Sequence, residues 1–145
     1  MGLKIFVNLP AHDLEATKAF YTALGATINP DFTDDNAACV VWNDDIYFMV
    51  LKPEFMATFT TKPIADPRES AQVAVALMLD SREEVDAKAD LAVANGGAAP
   101  RDPEDYGFMY QRSCEDPSGN ILEFGWMDPR AAEVGPEAYL AEQGA

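Results

Sequence analysis

The stretch Asp116-Pro117-Ser118-Gly119-Asn120-Ile121-Leu122-Glu123-Phe124 decides how the rest of the chain is read. Asp-Pro-Ser-Gly predicts a tight turn, because Pro117 has its φ pre-set for the second position and Gly119 tolerates positive φ. Alternation after the turn predicts a strand over 119–126, with Ile121, Glu123 and Gly125 on one face and Leu122, Phe124 and Trp126 on the other. A strand predicted over 107–115 precedes the turn, so the two form a hairpin. If Glu115 pairs with Asn120, the register sets Arg112 opposite Glu123. A carboxylate among apolar neighbours is costly without a partner, so Glu123 is either ion-paired to Arg112 or free for a ligand.

Outward from the hairpin, Gln72 to Leu79 predicts a strand with Val73, Val75, Leu77 and Leu79 on one face. Ala74, Ala76 and Met78 share the other face. Ser81 followed by Glu84 is a capping box, and it predicts a helix through about Ala94 that stops at Gly96-Gly97. A further strand is predicted at 98–101. The first half of the chain runs in the same order. Lys4 to Pro10 predicts a strand with Ile5, Val7 and Leu9 on one face and Phe6 and Asn8 on the other. Asp13 caps a helix whose Leu14, Thr17, Tyr21 and Leu24 recur at helical spacing, and Gly25 ends it. Strands at 26–32, 37–42 and 45–52 follow, punctuated by Asp34-Asp35-Asn36 and Asn43-Asp44-Asp45. Superposing the halves sets Phe6 on Ala74, Gly25 near Gly96 and Met49 on Glu123. These offsets of 68, 71 and 74 drift smoothly, as in a duplicated module with small loop changes. The chain therefore reads as an α+β domain over 1–128, made of two βαβββ modules at 1–54 and 71–128. A proline-interrupted linker over 55–70, with one helical turn near Phe55, joins them, and a helical tail follows over 129–145.

Composition narrows the partners. The 145 residues suit one domain, and 25 Asp and Glu against 10 Lys and Arg give a formal charge of −15. That balance excludes nucleic acid, whose phosphates it would repel, and is unfavourable at anionic membranes. It leaves a solubility surface or a field that draws in a cationic ligand. The apolar runs are too short to span a bilayer, and Met1 to Pro10 lacks the pattern of a signal peptide, so a cytoplasmic protein is expected. Cys39 and Cys114 show no ligand or redox spacing and read as buried thiols.

Two motifs carry a resemblance. Asn8-Leu9-Pro10, Asp13-Leu14-Glu15, Phe20-Tyr21 and Leu24-Gly25 resemble the first module of the vicinal-oxygen-chelate superfamily, the glyoxalase, bleomycin-resistance and extradiol-dioxygenase group. Asp116 to Phe124 resembles its last hairpin. The resemblance implies two curved four-stranded sheets around a cup, pairing as a homodimer, and a divalent metal held by four inward residues. The matching positions are Phe6 (or Asn8), Met49, Ala74 (or Ala76) and Glu123. Only Glu123 is a usual ligand, so no cofactor is expected. His12, the single histidine, falls beside the helix cap, away from the predicted pocket strands. The cup is expected to be lined by Phe6, Asn8, Tyr47, Met49, Ala74, Ala76, Met78, Ile121 and Glu123, with Tyr110 and Arg112 beside it. Tyr106 and Tyr110 serve either as aromatic walls or as ordinary strand residues, and the methionines and alanines either face a ligand or fill the interior. The reading is a protein that binds a small molecule in the cup without the family metal, a cationic one if the net charge acts as a steering field rather than as a solubility surface. The alternatives are a lyase or isomerase with Glu123 as general base, and a non-catalytic structural dimer.

Overall fold

The computed structural model describes residues 2–144. The first module consists of β1 (Ile5–Pro10), α1 (Leu14–Ala23), β2 (Thr27–Asn29), β3 (Ala37–Val41) and β4 (Ile46–Leu51). Its sheet runs β1-β4-β3-β2, with β1 parallel to β4 and the other pairs antiparallel. After α2 (Pro53–Met56) the second module repeats the arrangement with β5 (Ala74–Met78), α3 (Arg82–Ala94), β6 (Glu104–Asp105), β7 (Met109–Glu115) and β8 (Ile121–Met127). This sheet runs β5-β8-β7-β6, again with its first and last strands parallel. The two α+β modules are those expected, and their sheets do not close on one another.

Local chemistry sets the element ends. Asp13 accepts from the Ala16 amide to open α1, and Ser81 accepts from the Glu84 amide to open α3. The return bond of the α3 capping box goes from the Asp80 amide to Glu84 Oε2, one residue before the cap. Each helix buries one stripe, Leu14, Thr17, Phe20 and Tyr21 on α1 and Val85, Ala89 and Ala92 on α3. These join Phe48 and Val50 of β4 and Leu122 and Phe124 of β8 in a core common to both modules. Burial of each large apolar side chain there contributes about 1.5–3 kcal/mol. On the same side, Arg82 lies over Tyr110 and Trp126, 5.3 and 5.1 Å from their ring centres, and its fork grips Asp105, tying β6 to α3.

Three predicted elements differ. The strand over 26–32 is cut at Asn29, because Pro30 brings no amide to the ladder and Asn29 caps a 3₁₀ turn over Pro30–Phe32. The strand over 98–101 shrinks to one bridge between Ala98 and Glu115; Pro100 and Pro103 lack donors, and pairing resumes only at β6. The tail is two helices, α4 (Pro129–Val134) and α5 (Pro136–Gly144), broken by Gly135 at φ 90° and by Pro136. No helix of the described residues is long and apolar enough to cross a membrane.

Candidate functional site

The turn between β7 and β8 joins the modules. Asp116 is 3% exposed, and its Oδ1 accepts from the amides of Ser118 and Asn120 at 2.9 and 3.0 Å. Its Oδ2 accepts from the Tyr21 hydroxyl at 2.8 Å and from Asn120 Nδ2 at 2.9 Å. Asn120 Nδ2 also donates to the carbonyl of Pro10, and the His12 amide donates to Ser118 Oγ. Burial pushes the Asp116 carboxyl above its ordinary value against the pull of these donors, and burial beside Asp116 raises the Tyr21 phenol well above its own. The most recognisable motif of the sequence is thus a structural clamp.

The strand register corrects the expected hairpin. Glu115 pairs with Ile121 rather than Asn120, so Ser113, not Arg112, lies opposite Glu123. One residue of slip reverses every facing. Arg112 turns to the helix side and binds Asp86 and Asp90 of α3 at 3.2 and 3.4 Å. Tyr110 turns the same way and donates to Asp86 at 2.6 Å, so neither residue stands beside the cup. Glu123 Oε2 instead accepts from the Gln111 amide at 2.9 Å. Tyr106 lies at the β6 end of this sheet and donates to Glu104.

The remaining expected residues lie on the faces turned away from the core. Phe6 and Tyr47 stack at 4.4 Å on the first sheet, and Phe6 is 52% exposed. Asn8 pairs with Met49 there, and Ala76 pairs with Glu123 at the corresponding place in the second sheet. Ala74 and Met78 flank Ala76 on the same exposed face, and Ala74 pairs with Ile121. Equivalent registers in the two sheets select Asn8, Met49, Ala76 and Glu123 among the positions where the resemblance implies metal ligands. One amide oxygen, one thioether, one methyl and one carboxylate do not fit the needs of zinc, manganese or iron. Among the described residues, no group of three or more His, Cys, Asp or Glu gathers to hold a metal elsewhere.

A cavity of about 270 Å³ lies where the modules meet, between the end of β1 and the start of β8. Asn8 and Ile121 line it and were expected at the site; the other expected residues do not. Its remaining wall is largely the linker, through Met56, Lys62, Pro63, Ile64 and Pro67. Sequence reasoning missed these because a proline-interrupted, aperiodic stretch gives no facing. The available signal was its apolar content, Ile64 and Ala65 among prolines, in a segment too long for a bare connection. Gly119 marks the closest approach: at φ 96° it leaves no room for a Cβ, which would meet the Arg68 amide nitrogen at 2.9 Å.

Two βαβββ modules with parallel outer strands, a shared helix-side core and open opposite faces define a class of paired-module proteins. The chain belongs to the Glyoxalase/Bleomycin resistance protein/Dioxygenase superfamily, whose model matches residues 5–124. Its fold is similar to that of hypothetical protein SA1046 from S. aureus, at 23% identity and TM-score 0.74 over 87% of this chain and 95% of that one. A family enzyme from Burkholderia phytofirmans PsJN is 18% identical, with TM-score 0.70 over 84% and 96% of the two chains. Lactoylglutathione lyase from Agrobacterium tumefaciens is 20% identical, with TM-score 0.65 over 87% and 94%. At these identities the likeness is one of fold alone. No curated protein sequence matches the chain.

Proposed function

We propose that this protein binds a small molecule in the cavity between its modules, without a divalent metal. The observation that carries the reading is the cavity itself: concave, mainly apolar, and rimmed by a few polar side chains where the two modules and the linker converge. Its volume is that of about nine liquid waters, which suits one ring with a short substituent. Titration of the labelled protein with toluene tests it through backbone amide shifts. Saturable shifts are expected near Asn8–Pro10, residues 60–73 and Gly119–Ile121, and Ala71→Trp, which fills the cavity, should abolish them. Absence of saturable shifts in the wild type overturns the reading.

A second reading has its own observation. Among the described residues Glu123 has only the Gln111 amide as partner on its open sheet face, because Arg112 is turned away, and this leaves the second carboxylate oxygen available to a substrate. This supports a lyase or isomerase, in which Glu123→Gln would abolish turnover while leaving the melting temperature within a few degrees. The half-exposed Ile5, Phe6, Val73 and Met78 support pairing with a second copy, which light scattering of the purified chain tests.

A further inference from the structure

The net charge of the whole chain would attract a cation rather than an anion, but the cavity's own lining points the other way. Carboxylates make up 25 of the 145 residues, so seventeen lining residues at the chain average would include about three. They include none. The single charged residue among them is Lys62, which takes part in no ion pair among the described residues. Asn8 and Gln72 are also lining residues, and each carries a side-chain amide with two N–H donors beside one acceptor oxygen. The linker carboxylate nearest in sequence, Asp66, is gripped by Arg68 at 2.8 Å, and that guanidinium holds its carboxyl down at about 2. Of the linker's two carboxylates, Asp66 is thereby offset, while Glu69 is in no ion pair among the described residues and does not line the cavity.

At physiological ionic strength, charges in water more than about 8 Å apart are largely screened from one another. The acidic surface then influences approach, while the groups lining the cavity decide affinity. An ammonium and amide donors with no carboxylate between them favour an oxyanion, and the Pro63, Ile64 and Ile121 walls favour an apolar body.

We propose that the cavity between the modules takes a compact apolar molecule bearing a single carboxylate, with Lys62 as the residue that selects the acid. This rests on the cavity being the ligand site. Three molecules of one shape separate the possibilities: benzoate, neutral benzamide and cationic benzamidine, each titrated into the full chain at pH 7 with amide shifts as the readout. Benzoate is expected to bind about tenfold more tightly than benzamidine, the effect of one partly shielded charged contact. Lys62→Gln should bring the two within about threefold, Lys62→Arg should restore the gap, and raising the salt should narrow it. Lys62 is exposed on the linker, so these variants retain the fold. Benzamide or benzamidine binding as tightly as benzoate overturns the acid assignment while leaving the toluene result, and the cavity, intact. A benzoate preference that survives in Lys62→Gln overturns the role of Lys62. If toluene fails to bind as well, the site itself is refuted.

Discussion

The turn between the third and fourth strands of the first module and its counterpart in the second use the same local device. In the first, Asn43 Oδ1 accepts from the amides of Asp45 and Ile46 at 2.8 and 2.9 Å. In the second, Asp116 Oδ1 accepts from those of Ser118 and Asn120. Asn43 is exposed and its turn ends there. Asp116, Ser118 and Asn120 are all buried, and reach across to Tyr21, Pro10 and His12 of the other module. The outer sheet faces diverge as well: a Phe6–Tyr47 stack on the first, and Glu104, Glu115 and Glu123 on the second. The repeated backbone therefore does not carry a repeated role. One turn closes a hairpin, and the other holds the molecule together.

The sharpest way to break that comparison is to truncate both turns. Asp116→Ala removes four accepted hydrogen bonds and leaves the Tyr21 hydroxyl buried without a partner, at an expected cost of about 3–4 kcal/mol. Asn43→Ala exposes its amides to water and should cost less than about 1 kcal/mol. Urea unfolding of the two variants measures both, and equal losses would refute the clamp. Next in size is Gly119→Ala, where positive φ combines with a clash against the Pro67–Arg68 backbone, for about 2–3 kcal/mol. Gly107→Ala meets open space at φ 81° and isolates the backbone part, about 1 kcal/mol.

These contacts also mark how far the sequence could be read. Period and caps sufficed for both helices and for β1, β3, β4, β7 and β8, since burial of one face is what an alternating or helical pattern records. The register of β7 against β8 needed the true length of the turn. With Glu115 set against Ile121, the residues between them number five, one more than the Asp-Pro-Ser-Gly reading allowed. That single residue moved Arg112 and Tyr110 to the helix side and brought Gln111 to Glu123. The linker wall of the cavity left no periodic trace, because its facing comes from docking against Gly119 rather than from a pattern.

Asp116 also sets a pH signature that Asn43, being an amide, does not have. Burial raises its folded-state pKa above the unfolded value, so the native state binds that proton more tightly than the unfolded chain. Its stabilisation is full below the unfolded pKa of about 3.9 and is lost as pH rises through the raised value. Asp116→Asn removes the titration. The stability of the wild type relative to Asp116→Asn should therefore fall as the pH is raised from about 4 through the raised folded value. Unfolding of both proteins across that range checks the sign. A gap that widens in favour of the wild type would mean that the four donors outweigh burial.

The smallest expected effect concerns the outer faces, where the comparison is between Asn8 with Met49 and Ala76 with Glu123. A site of micromolar affinity, given metal at about a hundred times its Kd, would stabilise the protein by about 2.7 kcal/mol. For a chain of this length that is a rise in Tm of about 5–15 °C. With two oxygen donors among the four positions, zinc or manganese added to the chelator-treated protein should move Tm by less than about 1 °C. Elemental analysis of the protein before chelation should find less than stoichiometric metal. A rise of several degrees would place the missing donors in a partner copy laid over these faces, since Met49 and Ala76 bring neither oxygen nor nitrogen to a metal.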